Sequence, residues 1–150
     1  MKMSLSLLFL AIIVMLAYVR LAPSNREIWH TDPMTATAQN GHFLVRPEGG
    51  DLASPVYEDS PIDLLTRFDE VALAEPRTDR LDGSPEQGRI TYISRSRYIG
   101  FPDYTTVQAI PVEGGTALVI HARLRFGRSD LGVNAARVTR WLDALGQSGA

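Results

Sequence analysis

The sequence predicts an α+β domain, a mostly antiparallel sheet of four to five strands with two helices packed on one face, behind an N-terminal transmembrane helix. Three observations support this: an uncharged apolar run at residues 3–19, a helical apolar period over residues 60–75, and apolar–polar alternation between positions 89 and 126. The predicted segments are a signal anchor (1–22), a tether and loop (23–42), the α+β domain (43–146) and a frayed tail (147–150). The chain has 150 residues and no cysteine, so we expect one core and no disulfide.

The apolar run at residues 3–19 has the length of a signal peptide or a short transmembrane helix. At about 1.5 Å per residue it extends roughly 25 Å, close to the thickness of a bilayer core. Signal peptidase requires small residues one and three positions before the cut. A cut after Ala22 would put Arg20 at the third position, and a cut after Ala17 would put Met15 there. We therefore predict an uncleaved signal anchor.

The orientation of this anchor is only weakly specified. Lys2 on one side faces Arg20 and Arg26 on the other, so the positive charges that orient a membrane helix nearly balance. The resemblance of the start to an export signal favours a single-pass protein of the bacterial inner membrane with its domain on the periplasmic side. The reverse orientation stays open.

A helix is predicted over residues 60–75. Ser60 suits the N-cap and Pro61 the first helical position, while Asp63 takes the place of the more usual glutamate in a capping box. Pro76 ends the helix. This helix is predicted to cover the sheet and to carry no chemistry.

Two strands at residues 103–112 and 116–126 are predicted to form a hairpin closed by the glycines at 114 and 115. That register would place Val107 opposite Ala122. Alternation predicts one apolar face beneath the helices and one polar face. A last helix is predicted from Asn134, acting as the cap, to Leu145, with Arg137 and Arg140 on its exposed side.

Polar side chains from two strand ends, a turn and a loop are predicted to meet at one edge of this sheet. Arginines there could bind a phosphate or a carboxylate through paired N–H groups, and the start of the last helix could add backbone donors. The candidate ligand-binding residues are Arg95, Arg97, Asp103, Tyr104, Arg128, Ser129, Asp130 and Asn134.

The same cluster also fits a purely structural role. In that interpretation Asp103 and Asp130 neutralise the arginines and hold the loop at residues 127–134, while Asn134 caps the helix. A third interpretation is a hydrolase-like enzyme that uses Asp103 and Asp130. Neighbouring arginines are expected to depress the pKa of both carboxyl groups, which weakens them as proton carriers. No catalytic residue is assigned.

Neither a metal nor another cofactor is predicted. His30, His42 and His121 are scattered without the spacing of a metal site. The basic half, residues 89–140, lacks a run of adjacent cations, so no nucleic-acid partner is expected. The expected partners are the membrane, through residues 3–19, and an anionic small molecule, a lipid headgroup or an envelope protein.

Two long strings give the chain a resemblance to a known family. RSRYIGFPDYTTVQA and ARLRFGRSDLGVN, quoted as they stand, resemble the conserved end of the bacterial and plastid family called domain of unknown function 1499. The resemblance extends over roughly residues 28–145. It implies no established activity, cofactor or substrate, and it implies an exported or membrane-anchored protein.

Overall fold

The structure is a computed structural model that describes residues 2–147, with side chains from Leu5 onward. Its helices are α1 (Lys2–Leu21), α2 (Arg26–Trp29), α3 (Pro61–Ala74) and α4 (Val133–Gln147). Its strands are β1 (His42–Arg46), β2 (Leu52–Ala53), β3 (Val56–Tyr57), β4 (Thr78–Ser84), β5 (Arg89–Arg95), β6 (Pro102–Val112) and β7 (Gly115–Leu124), with a short 3-10 helix at Pro85–Gln87. Apart from Gln147, the predicted frayed tail lies outside the described residues.

The α+β class is confirmed, but the predicted sheet of four to five mostly antiparallel strands is wrong. The seven strands form a mixed sheet in the order β2-β1-β7-β6-β5-β4, and β3 also pairs with β7. β1 and β2 run parallel, whereas β1 and β7 run antiparallel. The additional strands were missed because β2 and β3 have two residues each, too few to show alternation.

The hairpin of β6 and β7 forms two residues away from the predicted register. Val112 pairs with Gly115, so Val107 lies opposite Ile120 instead of Ala122. Side chains alternate with a period of two, and a shift of two residues leaves every side chain on its predicted face. The faces predicted for these two strands are therefore unchanged.

The core lies between the sheet and the two long helices of the domain. Phe68 of α3 and Trp141 of α4 pack edge to face with ring centroids 5.8 Å apart, and Tyr92 of β5 packs against both. Ser60 caps α3 by accepting a hydrogen bond from the Asp63 N–H at 3.2 Å, which confirms the predicted helix start. Both helices thus cover one face, as predicted.

The other face of the sheet is covered by the segment between α1 and β1. Trp29 stacks on Tyr104 with ring centroids 3.8 Å apart, and its carbonyl oxygen accepts hydrogen bonds from Thr106 and Arg123. His121 is 6% exposed and Arg123 is 5% exposed. The predicted polar face is present but covered, and the segment satisfies its polar groups with backbone oxygen atoms.

The N-terminal helix α1 exposes its apolar side chains along most of its length. A bilayer core takes about 20 apolar residues in a helix. In the described part of the chain no helix is long and apolar enough to cross a membrane, so the prediction of a transmembrane span at residues 3–19 is not supported.

Candidate anion-binding site

A cleft rich in arginine lies at the sheet edge where β4 begins and β5 ends, beneath the first half of α4. Its volume is about 290 Å³. Two of the predicted residues, Arg95 and Arg97, line it. The other lining residues are Glu75, Pro76, Arg77, Thr78, Ser94, Ser96, Val133, Arg137 and Arg140.

Arg77 reaches this cleft from the turn that follows α3. Pro76 cannot continue the helix, and Arg77 then adopts a φ of 61°, which is unusual for a residue with a side chain. Its Nε–H donates to the carbonyl oxygen of Arg95 at 3.2 Å, while its backbone carbonyl accepts from the Arg95 N–H at 2.9 Å. Backbone strain of this kind concentrates at functional sites.

α4 contributes two arginines, one turn apart. Arg137 is 6% exposed and donates to Asp103 at 3.3 Å and to Asn134 Oδ1 at 2.8 Å. The prediction that Arg137 lies on the exposed side of the helix is wrong, because the helix turns this side chain toward the sheet edge. Arg140 pairs with Glu75 at 2.8 Å across the mouth of the cleft.

Within the described part of the chain, the arginines at the end of β5 have no carboxylate partner. Arg95 donates to the carbonyl oxygens of Gly100 and Arg20, each at 3.3 Å. The exposed Arg97 lies 5.5 Å from the ring centre of Tyr98. Among residues 2–147, neither they nor Arg77 form an ion pair.

The local charge balance is strongly positive. Five arginines line the cleft, and two carboxylates pair with them, Glu75 in the lining and Asp103 behind Arg137. Five minus two leaves three uncompensated positive charges. Such a site favours an anion.

A second cavity of about 340 Å³ adjoins the cleft and shares Ser96 and Val133 with it. Three predicted residues line this cavity: Asp103, Ser129 and Asp130. Burial raises the pKa of Asp103, and this effect outweighs the opposing influence of Arg137. Arg137 does act to lower this pKa, as expected of a neighbouring arginine, but the expected net depression is wrong because burial dominates. The remaining lining residues are Phe101, Leu124 and Phe126.

The loop before α4 is held by its own side chains. Asp130 accepts hydrogen bonds from the N–H groups of Asn134 at 2.7 Å and Gly132 at 3.1 Å. Ser129 Oγ accepts from the Leu131 N–H at 3.2 Å. Asp130, not Asn134, thus caps the helix, because α4 begins at Val133. Asn134 is buried, and its amide donates to the Gly41 carbonyl at 3.4 Å.

Two predicted residues lie away from both cavities. Tyr104 points to the opposite face of the sheet, where its hydroxyl contacts Ser24 at 2.6 Å and accepts from Arg125 at 3.0 Å. Arg128 is exposed and lines neither cavity. The eight residues are therefore divided between a cleft, an adjoining cavity, the helix interior and two separate positions.

The predicted structural lattice is only half present. Asp103 and Asp130 do have structural partners, but these are Arg137 and the start of α4. In the described chain neither carboxylate pairs with Arg95, Arg97 or Arg128. The carboxylates expected to neutralise the predicted arginines are therefore engaged elsewhere.

Three cleft residues were missed from the sequence: Arg77, Arg137 and Arg140. Arg137 and Arg140 are three positions apart, and this spacing puts both side chains on one helix face. That face could have been noticed, but its direction depends on how α4 packs. For Arg77 no sequence signal exists beyond its place after Pro76.

A separate polar network lies on the covered face. His121 Nε2 lies 2.9 Å from His42 Nδ1, and His121 Nδ1 lies 3.0 Å from an Arg123 nitrogen. Burial and then the Arg123 charge lower the pKa of His121 to about 3. Burial also lowers the pKa of Arg123 to about 10. In the described residues no group of three or more histidine, cysteine or acidic side chains is placed to hold a metal.

Comparison with protein families gives a match over most of the chain. The family model described as "Protein of unknown function (DUF1499)" matches residues 29–145, from Trp29 through Leu145. No curated protein matches the chain. The match includes the cleft, the adjoining cavity and the covered face, while α1 precedes it.

Proposed function

This chain belongs to the DUF1499 family of proteins of unknown function, and we propose that it is a membrane-associated accessory domain that binds an anionic group in the arginine cleft. The group carries a phosphate or a carboxylate. It belongs to a small molecule, a lipid headgroup or a partner protein.

One observation carries this proposal: five arginines converge on one cleft and only two carboxylates compensate them. Desolvating unpaired guanidinium groups near one another is unfavourable, so a cluster of this kind is more stable when an anion is bound. The planar guanidinium group donates two parallel N–H bonds to a phosphate or a carboxylate, a geometry that a lysine ammonium group does not offer.

The membrane part of the proposal is supported by α1. Residues 5–16 are exposed throughout, and most of them are large and apolar. A helix that is apolar on all sides is unstable in water and is found in a protein interior or in lipid. We place the domain on the periplasmic side of a bacterial inner membrane, attached through α1.

Binding is tested by thermal melting of the full chain in detergent with increasing inorganic phosphate, against sodium chloride at equal ionic strength. Wild type should gain stability with phosphate, since a ligand at 100 times its Kd stabilises a protein by about 2.7 kcal/mol. Arg97→Ala should melt as wild type does without phosphate and should lose most of the phosphate effect.

Arg128→Ala is the matched control for that experiment. Arg128 is an exposed arginine in the loop before α4, and it does not line the cleft. Its removal should leave the phosphate effect unchanged. Equal loss in both variants would mean that phosphate acts through general surface charge, and the absence of any phosphate effect in wild type would refute the anion site for phosphate.

Attachment and orientation are tested separately. The full chain should sediment with the membrane fraction and should resist extraction by salt. A reporter fused to the C-terminus should be active when the reporter requires export. A reporter that is active only in the cytoplasm would refute the proposed orientation while leaving the anion site untouched.

A second candidate function is hydrolysis in the adjoining cavity. It is favoured by an open space beside both Asp103 and Asp130 and by the raised pKa of Asp103, which brings this group closer to the range of a general acid. The test is turnover of p-nitrophenyl phosphate and p-nitrophenyl acetate by wild type and Asp103→Asn. Equal rates in the two proteins would reject this candidate.

A further inference from the structure

We propose that the loop at residues 97–99 is a second membrane contact, which lies beside α1 in an anionic bilayer and turns the sheet edge with its arginine cleft toward the lipid headgroups. This inference rests on the proposed attachment through α1, and it adds the loop, the lipid charge and the orientation of the domain.

The apolar side chains of α1 are exposed on every side of the helix. Leu7, Leu8, Phe9 and Leu10 are consecutive, and each side chain is more than half exposed. Successive side chains in a helix point about 100° apart, so these four together occupy every side of the helix. A groove on another protein would leave some of them in water, whereas lipid surrounds the helix completely.

The C-terminal end of α1 is fixed to the domain. Val19 is buried, and Tyr18 packs edge to face on Phe126 with ring centroids 6.1 Å apart. Arg125 donates to the carbonyl oxygen of Pro23 at 3.0 Å, and Arg95 donates to that of Arg20. These contacts hold the C-terminal end of α1 against the domain. A bilayer that contains α1 would therefore also contact the domain surface next to this end of the helix.

The loop at residues 97–99 stands at that base and extends along the helix. Tyr98 is 85% exposed, and Ile99 is exposed next to it. A groove of about 370 Å³ separates the loop from α1. Ile13 lies about 10 Å from Arg20 along the helix axis at 1.5 Å per residue. The groove therefore runs along about two turns of α1 from its C-terminal end. The residues that line this groove are Ile13, Leu16, Ala17, Arg20, Tyr98 and Ile99.

Two arginines lie beside this loop. Arg97 lies over the Tyr98 ring, and Arg20 reaches the backbone at Gly100. Tyrosine and arginine are typical of the layer between hydrocarbon and headgroups, where the apolar part is buried and the polar end meets phosphate. An apolar loop tip with arginines behind it complements an anionic bilayer.

The absence of cysteine from the chain allows a direct test with single-cysteine variants. Ile99→Cys, Leu8→Cys and Val56→Cys are each labelled with a polarity-sensitive fluorophore in the full chain. Val56 is the matched control, since it is an exposed aliphatic side chain on β3. β3 pairs with the start of β7, at Thr116 and Ala117. The probes are vesicles of phosphatidylcholine alone and vesicles with 30% phosphatidylglycerol.

With the anionic vesicles we expect the labels at positions 8 and 99 to shift to the blue and to resist iodide quenching severalfold more than the label at position 56. The shift at position 99 should be smaller on neutral vesicles. A shielded label at 8 with a quenchable label at 99 would overturn this inference and leave the attachment standing. Labels at 8 and 99 that are both quenchable would overturn the attachment as well. Shielding at 99 without vesicles, with a doubled mass in sedimentation, would identify a second copy as the occupant and overturn the membrane contact.

Discussion

Arginines occupy two contrasting environments in this domain, the covered face of the sheet and the cleft at its edge. Arg123 on the covered face is surrounded by neutral groups, the carbonyl oxygen of Trp29, the hydroxyls of Thr106 and Thr31, and the Trp29 ring at 5.3 Å. Arg97 at the cleft is exposed and lies against one tyrosine ring. The first is part of the folded framework, and the second is available to a ligand.

The comparison shows that the number of arginines is a poor guide to a binding site. What distinguishes the two regions is whether the fold already supplies the hydrogen-bond acceptors. The segment between α1 and β1 brings carbonyl oxygens to Arg123, whereas the turns around the cleft bring arginines together and only two carboxylates with them.

The largest expected effect is that of Arg123→Ala. The substitution removes a buried donor and leaves the Trp29 carbonyl oxygen without that partner, so we expect a loss of about 3 kcal/mol in the free energy of unfolding. Urea unfolding in detergent measures it. A loss under 1 kcal/mol would mean that the segment holds to the sheet without this arginine.

The next largest effect is a dependence of the free energy of unfolding on pH, which arises from His121 on the covered face. The pKa of His121 is about 3 in the folded chain and about 6.5 in the unfolded chain, so the unfolded state takes up a proton first as pH falls. Stability is present above pH 6.5 and is lost toward pH 3, by about 2.5 kcal/mol between pH 6 and pH 4. The free energy of unfolding, measured between pH 6 and pH 4, should fall less in His121→Gln than in wild type.

Asp103 acts in the opposite direction. Its pKa is raised in the folded chain, so the folded state binds this proton more readily than the unfolded state and gains relative stability as pH falls. Asp103→Asn should therefore steepen the loss of stability toward low pH. A flatter profile in this variant would contradict the assigned burial of the carboxyl group.

A smaller effect is expected at the loop before α4, which lines the second cavity. Asp130→Ala removes the side-chain cap of α4 and should cost about 1 kcal/mol of stability. Ser129→Ala, which removes a single exposed hydrogen bond from the same loop, should cost less than about 0.5 kcal/mol. Equal effects would show that the loop is not organised by Asp130.

The smallest effect on stability is expected at the cleft. Arg97→Ala should change the free energy of unfolding by less than about 0.5 kcal/mol, since the side chain is exposed. Arg123→Ala should therefore destabilise the fold far more than Arg97→Ala does. A loss of several kcal/mol at Arg97 would place this arginine in the framework and remove it from the site.

The sequence predicted those features that depend on local chemistry. The start of α3 followed from Ser60 and Pro61, and the faces of β6 and β7 followed from alternation. It failed where the answer depends on long-range packing. The loop around Trp29 was expected to pack on the domain, but no pattern indicated which face it would cover or that it would remove Tyr104 from the predicted cluster. The direction of Arg137 depended in the same way on the docking of α4.

The most direct test of the two roles of arginine is an NMR titration of the arginine side-chain Nε–H signals with inorganic phosphate in the full chain. We predict that the signals of Arg77, Arg95 and Arg97 shift in a saturable manner, while that of Arg123 stays unchanged. Arg128 should shift only weakly and without saturation. Equal shifts for Arg97 and Arg128, or a saturable shift at Arg123, would contradict the assignment of the anion site to the cleft.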